Sequence, residues 1–198
     1  MTQRSRRGSW GVAALVVVAL TTSGCSGSDD GGGQSATSPS TTPTSAAPRK
    51  VVTAVSMGEM AGALPRARRE RLTSDVQAVV DGWIDAAYVG GDYPRTDFAD
   101  SWPGFTAQAR AKARRDGDLM SNRDIGASID GVEAEKRVVK LDVLSVGKRP
   151  VGVTARVVLR FATTGDRAKD VRVAGRLYLT KGKQGWRVFG YDVTKVAT

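Results

Sequence analysis

The fold of this chain is decided by residues 151–180, which read VGVTARVVLRFATTGDRAKDVRVAGRLYLT. Apolar and polar side chains alternate along 153–161 and again along 171–179, and the polar segment TGDRAKD lies between them. A period of two places the apolar residues on one face of a strand, and a short polar turn joins antiparallel strands. We therefore predict a hairpin with one buried face and one solvent-exposed face.

The strand pattern continues on both sides of this hairpin. Further strands are predicted at 138–146 (VVKLDVLSV) and 186–196 (WRVFGYDVTKV), with 125–132 (IGASIDGV) as a fifth candidate. The connecting segments GKRP and KGKQG have the composition and length of hairpin turns. This C-terminal part, about residues 123–196, is therefore expected to form an antiparallel sheet.

Glycines interrupt two of the predicted strands. Gly175 falls on the apolar face of 171–179, and Gly190 lies inside the last strand. Glycine in a strand interior marks a bend or a close backbone approach, which would let the sheet curl. The inward side of the last strand stays open between Trp186 with Val188 and the set Phe189, Tyr191 and Val193, and a bulge at Gly190 would admit both.

Helical periodicity precedes the strands. One apolar stripe recurs at intervals of three and four residues and is formed by Leu72, Val76, Val79, Val80, Trp83, Ile84 and Ala87. VGGDYP at 89–94 ends this helix, a short helical turn is predicted in 96–105, and an alanine-rich helix in 106–116. Residues 51–65 fit either a strand or a first helical turn. Helices over about 66–120 followed by hairpin-linked strands indicate an α+β fold.

The start of the chain has the layout of an export signal. Residues 1–24 contain Arg4, Arg6 and Arg7, then nine apolar residues over 12–20, then small residues. Nine residues are too few for a membrane span, which needs roughly 20. We therefore predict a signal peptide over 1–24, with the choice between Sec and twin-arginine export left open.

Cys25 is the single cysteine of the chain, and it follows this signal directly. The segment Thr-Ser-Gly-Cys at 22–25 resembles the lipobox of bacterial lipoproteins, with Thr22 where leucine is usual. The resemblance implies that Cys25 carries a diacylglyceryl group, becomes the first residue, and anchors the protein on the extracytoplasmic face of the cell membrane. Residues 25–50, rich in Ser, Thr, Gly, Ala and Pro, would form a flexible tether, with a typical reach of about 25–30 Å.

The formal charge is +10, and it falls to +7 without residues 1–24. A basic exported protein meets anionic lipids and wall polymers, whereas nucleic acid is not an expected partner outside the cytoplasm. Four arginines alternate with the apolar face of the central strands and are candidates for contact with an anionic surface: Arg156, Arg160, Arg172 and Arg176. A solvated exterior explains the same residues.

The order of elements over 66–196, closing with GWRVFGYDV at 185–193, is similar to the nuclear transport factor 2-like, or SnoaL-like, fold. The resemblance implies a cone-like domain at 51–198, with helices packed on a curved antiparallel sheet, as in cystatin-like folds. Its members include isomerases, cyclases and non-catalytic accessory domains, among them envelope proteins of actinobacteria. The candidate pocket residues are Trp83, Tyr88, Trp102 and Tyr178, with core packing as the alternative for the two tryptophans.

The chain contains no histidine, which excludes the usual catalytic triads and the commonest transition-metal ligand. We predict no catalytic residue, metal or cofactor, and a lipid-anchored accessory or binding protein whose partner is a small apolar ligand or another envelope protein. One alternative is a structural protein that binds anionic lipid or wall polymer through the arginine face. The other, implied by the SnoaL-like resemblance, is an isomerase or cyclase with an Asp/Tyr pair from Asp85, Tyr88, Asp92, Tyr93, Asp97, Tyr178 and Tyr191.

Overall fold

The computed structural model describes residues 50–198. The predicted signal peptide, the lipidation site Cys25 and the tether up to residue 49 lie outside the described residues. The fold is α+β. In chain order the described elements are β1 (Ala54–Ala61), α1 (Arg66–Ile84), a π-helical turn (Asp85–Val89), α2 (Ala107–Arg115), α3 (Gly117–Met120), a 3-10 turn (Gly126–Ser128), β2 (Gly131–Val146), β3 (Arg149–Thr164), β4 (Asp170–Gly182) and β5 (Gly185–Ala197).

The sheet has the spatial order β1-β2-β3-β4-β5. Strands β2 to β5 are consecutive antiparallel neighbours, as the alternating sequence predicts. The inward side chains of β3 are all buried, from Val153 to Phe161 at every second position, and those of β4 follow the same rule. We call this buried side the inner face and the opposite side the outer face.

The prediction of a wholly antiparallel sheet is wrong at one edge, because β1 pairs in parallel with β2 and makes the sheet mixed. Ala54 lies opposite Val138, and Ala61 lies opposite Leu144. Parallel neighbours need a long crossover connection, and the three α-helices lie between β1 and β2. The pattern of residues 51–65 fits either a strand or a helical turn, so β1 was not predicted as a strand. Alternation of apolar and polar residues also does not encode whether a neighbouring strand is parallel or antiparallel.

The fifth strand predicted at 125–132 is also wrong, since Gly126–Ser128 is a 3-10 turn and β2 begins only at Gly131. Gly126 is held in a loop: its N–H donates to the Asn122 carbonyl at 2.7 Å, and its carbonyl accepts from the Arg95 N–H at 2.7 Å. In 96–105, where a short helical turn is predicted, a hydrogen-bonded turn forms, with the Ser101 N–H donating to the Phe98 carbonyl at 3.2 Å, and it does not extend into a helix.

The two helices predicted from periodicity are confirmed. The stripe of α1 is buried against the sheet, with Val79 as the partly exposed member. After Ile84 the helix widens into the π-helical turn and ends at Gly90, whose N–H donates to the Asp85 carbonyl at 2.8 Å. In α2 the Thr106 side chain caps the N-terminus, and its alanines Ala109 and Ala113 are buried.

A bulge in β5 resolves the open question about its inward side. Tyr178 pairs with Gly190 while Leu179 pairs with Val188, so Phe189 is an extra residue on β5. A bulge changes which side of a strand faces inward. Val188 before the bulge and Val193 after it are therefore both buried, while 54% of the Phe189 surface is exposed.

Gly175 of β4 marks a close backbone approach, as its position predicts. Its φ angle is 154°, and a Cβ atom here would overlap the carbonyl oxygen of Asp192 on β5. We expect Gly175→Ala to lower the free energy of unfolding by roughly 2 kcal/mol or more, because strain and overlap act together. Urea denaturation of the chain and its variant measures this difference.

Gly152→Ala is the matched control, since a Cβ at this β3 position meets no atom within 4 Å. We expect it to change the stability by less than about 0.5 kcal/mol, as open positions usually do. Equal losses in the two variants would contradict the close approach at Gly175.

Candidate functional site

Three of the four candidate pocket residues lie in the core. Trp83 and Tyr88 are fully buried, and Trp102 is nearly so. The indole N–H groups of Trp83 and Trp102 both donate to the Met120 carbonyl, at 3.2 and 3.4 Å. The Tyr88 hydroxyl donates to the carbonyl of Leu119 at 2.7 Å. These three hydrogen bonds connect α1 and the loop that follows it to the end of α3. The two tryptophans are therefore core residues, which is the alternative to a pocket that the sequence left open.

Aromatic rings fill the interior between these helices and the sheet. The Trp83 ring meets Tyr88 edge-on at 5.4 Å between centroids and lies 6.3 Å from Phe105. Tyr88 lies 6.0 Å from Phe161 of β3, and Phe105 lies 6.4 Å from Tyr191 of β5. Side chains thus occupy the space that a ligand would need inside a cone.

Tyr178 lies apart from the other three, on the outer face. It lines an open groove of about 340 Å³ together with Leu144 and Phe189, and its ring centroid is 6.4 Å from that of Phe189. Leu144 and Phe189 each expose more than half of their surface. The floor of the groove passes Gly152, which has no side chain to fill it. Tyr178 is therefore the one candidate pocket residue that lines a concave surface.

The Asp and Tyr candidates for catalysis have structural partners. Asp85 forms an ion pair with Arg137, whose side chain is 4% exposed. The Tyr93 hydroxyl donates to the Tyr88 carbonyl at 2.8 Å, and an Asp97 oxygen accepts the Ala99 N–H at 2.8 Å. Burial raises the pKa of Tyr88 and of Tyr93. Asp92 is exposed. The structure does not bring one of these carboxylates and a phenol together in an apolar cavity.

One Asp/Tyr pair does form, between Tyr191, a predicted candidate, and Asp116, which was not predicted. The Tyr191 hydroxyl donates to Asp116 at 2.7 Å, and Lys112 contacts the same carboxylate oxygen at 2.8 Å. The Lys112 ammonium also lies 3.9 Å above the Tyr191 ring. Asp116 follows α2 and Tyr191 follows the bulge in β5, so only the β5 register brings them together.

The charges and hydrogen bonds of Lys112, Asp116 and Tyr191 favour a structural contact between α2 and β5, which we call the latch. Hydrogen bonds from Lys112 and Tyr191 hold the pKa of Asp116 below its usual value. Burial and the bond to Asp116 raise the pKa of Tyr191. A general base near neutral pH needs a raised carboxylate pKa, which is the opposite shift.

Asp116→Asn tests the latch through the pH dependence of stability. A lowered folded-state pKa stabilises the fold above the ordinary Asp value of about 4, and this contribution is lost as the pH falls through the folded-state pKa. We expect the variant to be less stable by about 1 kcal/mol at pH 7, with a difference that shrinks below about pH 4. Urea denaturation between pH 2.5 and 7 measures it.

Asp100→Asn is the control, because Asp100 is exposed and has no ion pair among residues 50–198. It should leave the pH profile unchanged. A constant difference between the chain and Asp116→Asn across this pH range would contradict the assigned pKa direction.

The structure brings the four predicted arginines together on the outer face. Arg156 lies directly opposite Arg176, and Arg160 lies directly opposite Arg172, on neighbouring strands β3 and β4. Strand β2 adds one lysine to each pair. We call the result the cationic rows: the first row contains Lys136, Arg160 and Arg172, and the second row contains Lys140, Arg156 and Arg176.

Small and apolar residues separate the cationic rows, namely Val138, Val158 and Ala174. A shallow depression of about 390 Å³ lies here between Arg156 and Arg176. Arg156 binds Asp142 at 2.6 Å, whereas the other three arginines form no ion pair within residues 50–198. Burial opposes the ionisation of Asp142, but the Glu59 N–H and Arg156 outweigh it and lower the pKa of that carboxyl.

Comparison of the chain with known protein families, with characterised proteins and with solved structures finds no match. Within residues 50–198, no helix is both long enough and apolar enough to cross a membrane. The same residues contain no cluster of three or more acidic or cysteine side chains arranged to hold a metal ion. The outer face of the sheet, with its cationic rows, is the candidate functional site.

Proposed function

We propose that this protein is a lipid-anchored accessory protein on the extracytoplasmic face of the cell membrane, and that its outer sheet face binds anionic lipid. The lipobox-like segment at 22–25 supports the anchor, and the cationic rows support the lipid contact. The α+β fold is compatible with a SnoaL-like domain, whose relatives include non-catalytic envelope proteins. The sheet face would hold the domain against the bilayer to which its acyl chains attach it.

The observation that carries this proposal is the pairing of like charges. Like charges directly opposite one another on a sheet destabilise it, so neighbouring strands usually place opposite charges there. Here Arg156 faces Arg176 and Arg160 faces Arg172, with a lysine beyond each pair. On the β5 side Asp192 lies opposite Arg176, whereas Val196 lies opposite Arg172, so the first row is the one that continues without a carboxylate. An anionic surface relieves this repulsion, and each basic side chain close to it adds about 1 kcal/mol of attraction.

An exposed apolar groove lies beside the second cationic row. Leu144, Tyr178 and Phe189 line it on the same outer face. Basic residues next to exposed aliphatic and aromatic side chains suit the boundary between lipid headgroups and acyl chains. The apolar groove thus adds a contact that a purely electrostatic surface lacks.

If the protein is lipid-anchored, the outer face needs only a low affinity for lipid to bind the membrane. Two acyl chains give stable membrane attachment, whereas one chain binds only marginally. The tether predicted from the sequence, with a reach of about 25–30 Å, would keep the domain near the bilayer, so that face binding would be intramolecular and occur at a high effective concentration. The face then sets the orientation of the domain.

The geometry favours this binding role over the isomerase or cyclase alternative. The rings of Trp83, Tyr88 and Phe105 occupy the interior, and the pKa of Asp116, the carboxylate that contacts a tyrosine, is lowered. A small apolar ligand remains compatible with the open groove at Tyr178.

Cys25→Ala tests the anchor. We expect the variant to lose metabolic labelling with a fatty acid and to leave the membrane fraction, because the thiol is the site of acylation. Ser26→Ala, one residue further on, should keep both the label and the membrane location. An unlabelled native chain, or an alanine variant that still needs detergent for release, would contradict the anchor.

Vesicle binding tests the face separately, with Cys25→Ser throughout so that no acyl chain contributes. We expect Arg160→Glu/Arg172→Glu to weaken binding to phosphatidylglycerol vesicles at least about tenfold, since the two changes replace two positive charges of one row with two negative ones. Binding of the parent should fall steeply with added salt, as screening requires. Vesicle cosedimentation over a range of salt concentrations gives both results.

The matched control is Arg69→Glu/Arg115→Glu, which changes the net charge equally on exposed positions of α1 and α2. It should weaken binding less than about threefold. Equal weakening in both variants would show that net charge, and not the face, drives binding. Equal binding to phosphatidylcholine vesicles would contradict an anionic partner.

A further inference from the structure

A second basic feature lies at one end of the sheet, where the start of α1 passes the β2–β3 and β4–β5 turns. A cleft of about 490 Å³ opens there. Four of its lining residues are cations: Arg68 and Arg71 of α1, Arg149 of β3 and Lys181 of β4. The cleft shares no lining residue with the cationic rows.

The helical period explains how α1 contributes to the cleft. Arg68 and Arg71 stand four and one residues before Leu72, and Asp75 stands three after it. Residues three and four apart share a helix face, so Arg68 and Asp75 continue the stripe that begins with Leu72. This helix face is apolar where it packs on the sheet, and it carries the charged residues Arg68 and Asp75 near the end of the sheet.

The cations of the cleft lack internal compensation. Arg68 donates to the backbone carbonyl of Lys148 at 2.6 Å, which holds its guanidinium against the β2–β3 turn. Arg71, Arg149 and Lys181 form no ion pair within the described residues. With Asp75 as the single lining carboxylate, the cleft carries an excess of three positive charges.

The remaining lining residues show that the cleft suits more than a bare anion. Leu72, Pro150 and Trp186 form an apolar wall, and Leu72 and Trp186 are themselves almost completely buried. The volume lies in the range of small-molecule sites, which runs from about 300 to 1,000 Å³. Pro150 is the partly exposed member of this wall, and an inorganic ion has no carbon skeleton to pack on it.

We propose that this cleft binds the phosphate ester of a sugar or another polyol. Arginine forks match phosphate oxygens, so Arg68, Arg71 and Arg149 take the phosphate. The Asp75 carboxylate accepts hydrogen bonds from hydroxyl groups, and the carbon skeleton packs on Pro150 and Trp186. This proposal is independent of the lipid-binding face, because the two surfaces use different residues.

Isothermal titration of the full chain carrying Cys25→Ser tests this proposal, with glucose 1-phosphate, inorganic phosphate and glucose as probes. We expect glucose 1-phosphate to bind at least about tenfold more tightly than either inorganic phosphate or glucose. Each hydrogen bond to a charged group is worth about 1.5–3 kcal/mol, so losing one costs about tenfold or more.

Two matched pairs of exposed residues locate the site. Arg71→Ala and Lys181→Ala should each weaken glucose 1-phosphate binding about tenfold. Arg69→Ala on the same helix and Lys183→Ala in the same β4–β5 hairpin lie outside the cleft and should leave the binding unchanged. All four positions are solvent-exposed, and equal unfolding midpoints would confirm that each variant folds.

The same variants distinguish a free ligand from a lipid headgroup. Phosphatidylinositol vesicles present a polyol phosphate on a membrane, and their binding should also weaken in Lys181→Ala if the ligand is lipid-borne. Weaker binding of either probe to Lys181→Ala supports the site. The probe that is affected shows whether the ligand is free or part of a lipid. The proposal is overturned if binding of neither probe is sensitive to Lys181→Ala, if the control variants lose as much affinity, or if inorganic phosphate binds as tightly as glucose 1-phosphate.

Discussion

The packing of the α1 stripe on the inner face of the sheet is the interaction on which the rest of this structure depends. Buried side chains from Leu72 to Ala87 meet the inward residues of β3, β4 and β5. Each such large apolar side chain contributes about 1.5–3 kcal/mol when it leaves water. This contact decides which sheet face is buried and leaves the other to solvent, so the arginines that alternate with the core residues all project from one surface.

The interior created by this packing is filled, and that determines where chemistry can occur. Trp83 and Trp102 share one acceptor, the Met120 carbonyl, while Tyr88 uses the neighbouring Leu119 carbonyl. A buried indole N–H or phenol O–H needs a hydrogen-bond partner. These bonds hold the three aromatic rings in the interior, in the space that a ligand cavity would need. The concave surfaces of interest are therefore open ones: the groove at Tyr178, the depression at the second cationic row and the basic cleft beside α1.

The two basic surfaces differ in shape, and we propose a different anionic partner for each. The cationic rows run across the three strands β2, β3 and β4, which suits a surface that presents many charges at once. The cleft is smaller, has an apolar wall and a carboxylate, and suits one small anion with hydroxyl groups. A positive charge excess brings repulsion within the protein in both places, and an anionic partner relieves it.

The sequence by itself determined the α+β class, the two helices, four of the five strands and the outward direction of the arginines, because each follows from local periodicity. It also determined the lack of histidine chemistry. Tertiary structure alone decided the parallel β1, since strand direction depends on a crossover that no local pattern encodes. Register decided that Arg156 faces Arg176 and that Asp116 meets Tyr191. The same packing placed Trp83, Tyr88 and Trp102 in a filled core and Tyr178 on the opposite face, because whether side chains fill a cavity depends on how distant elements fit together.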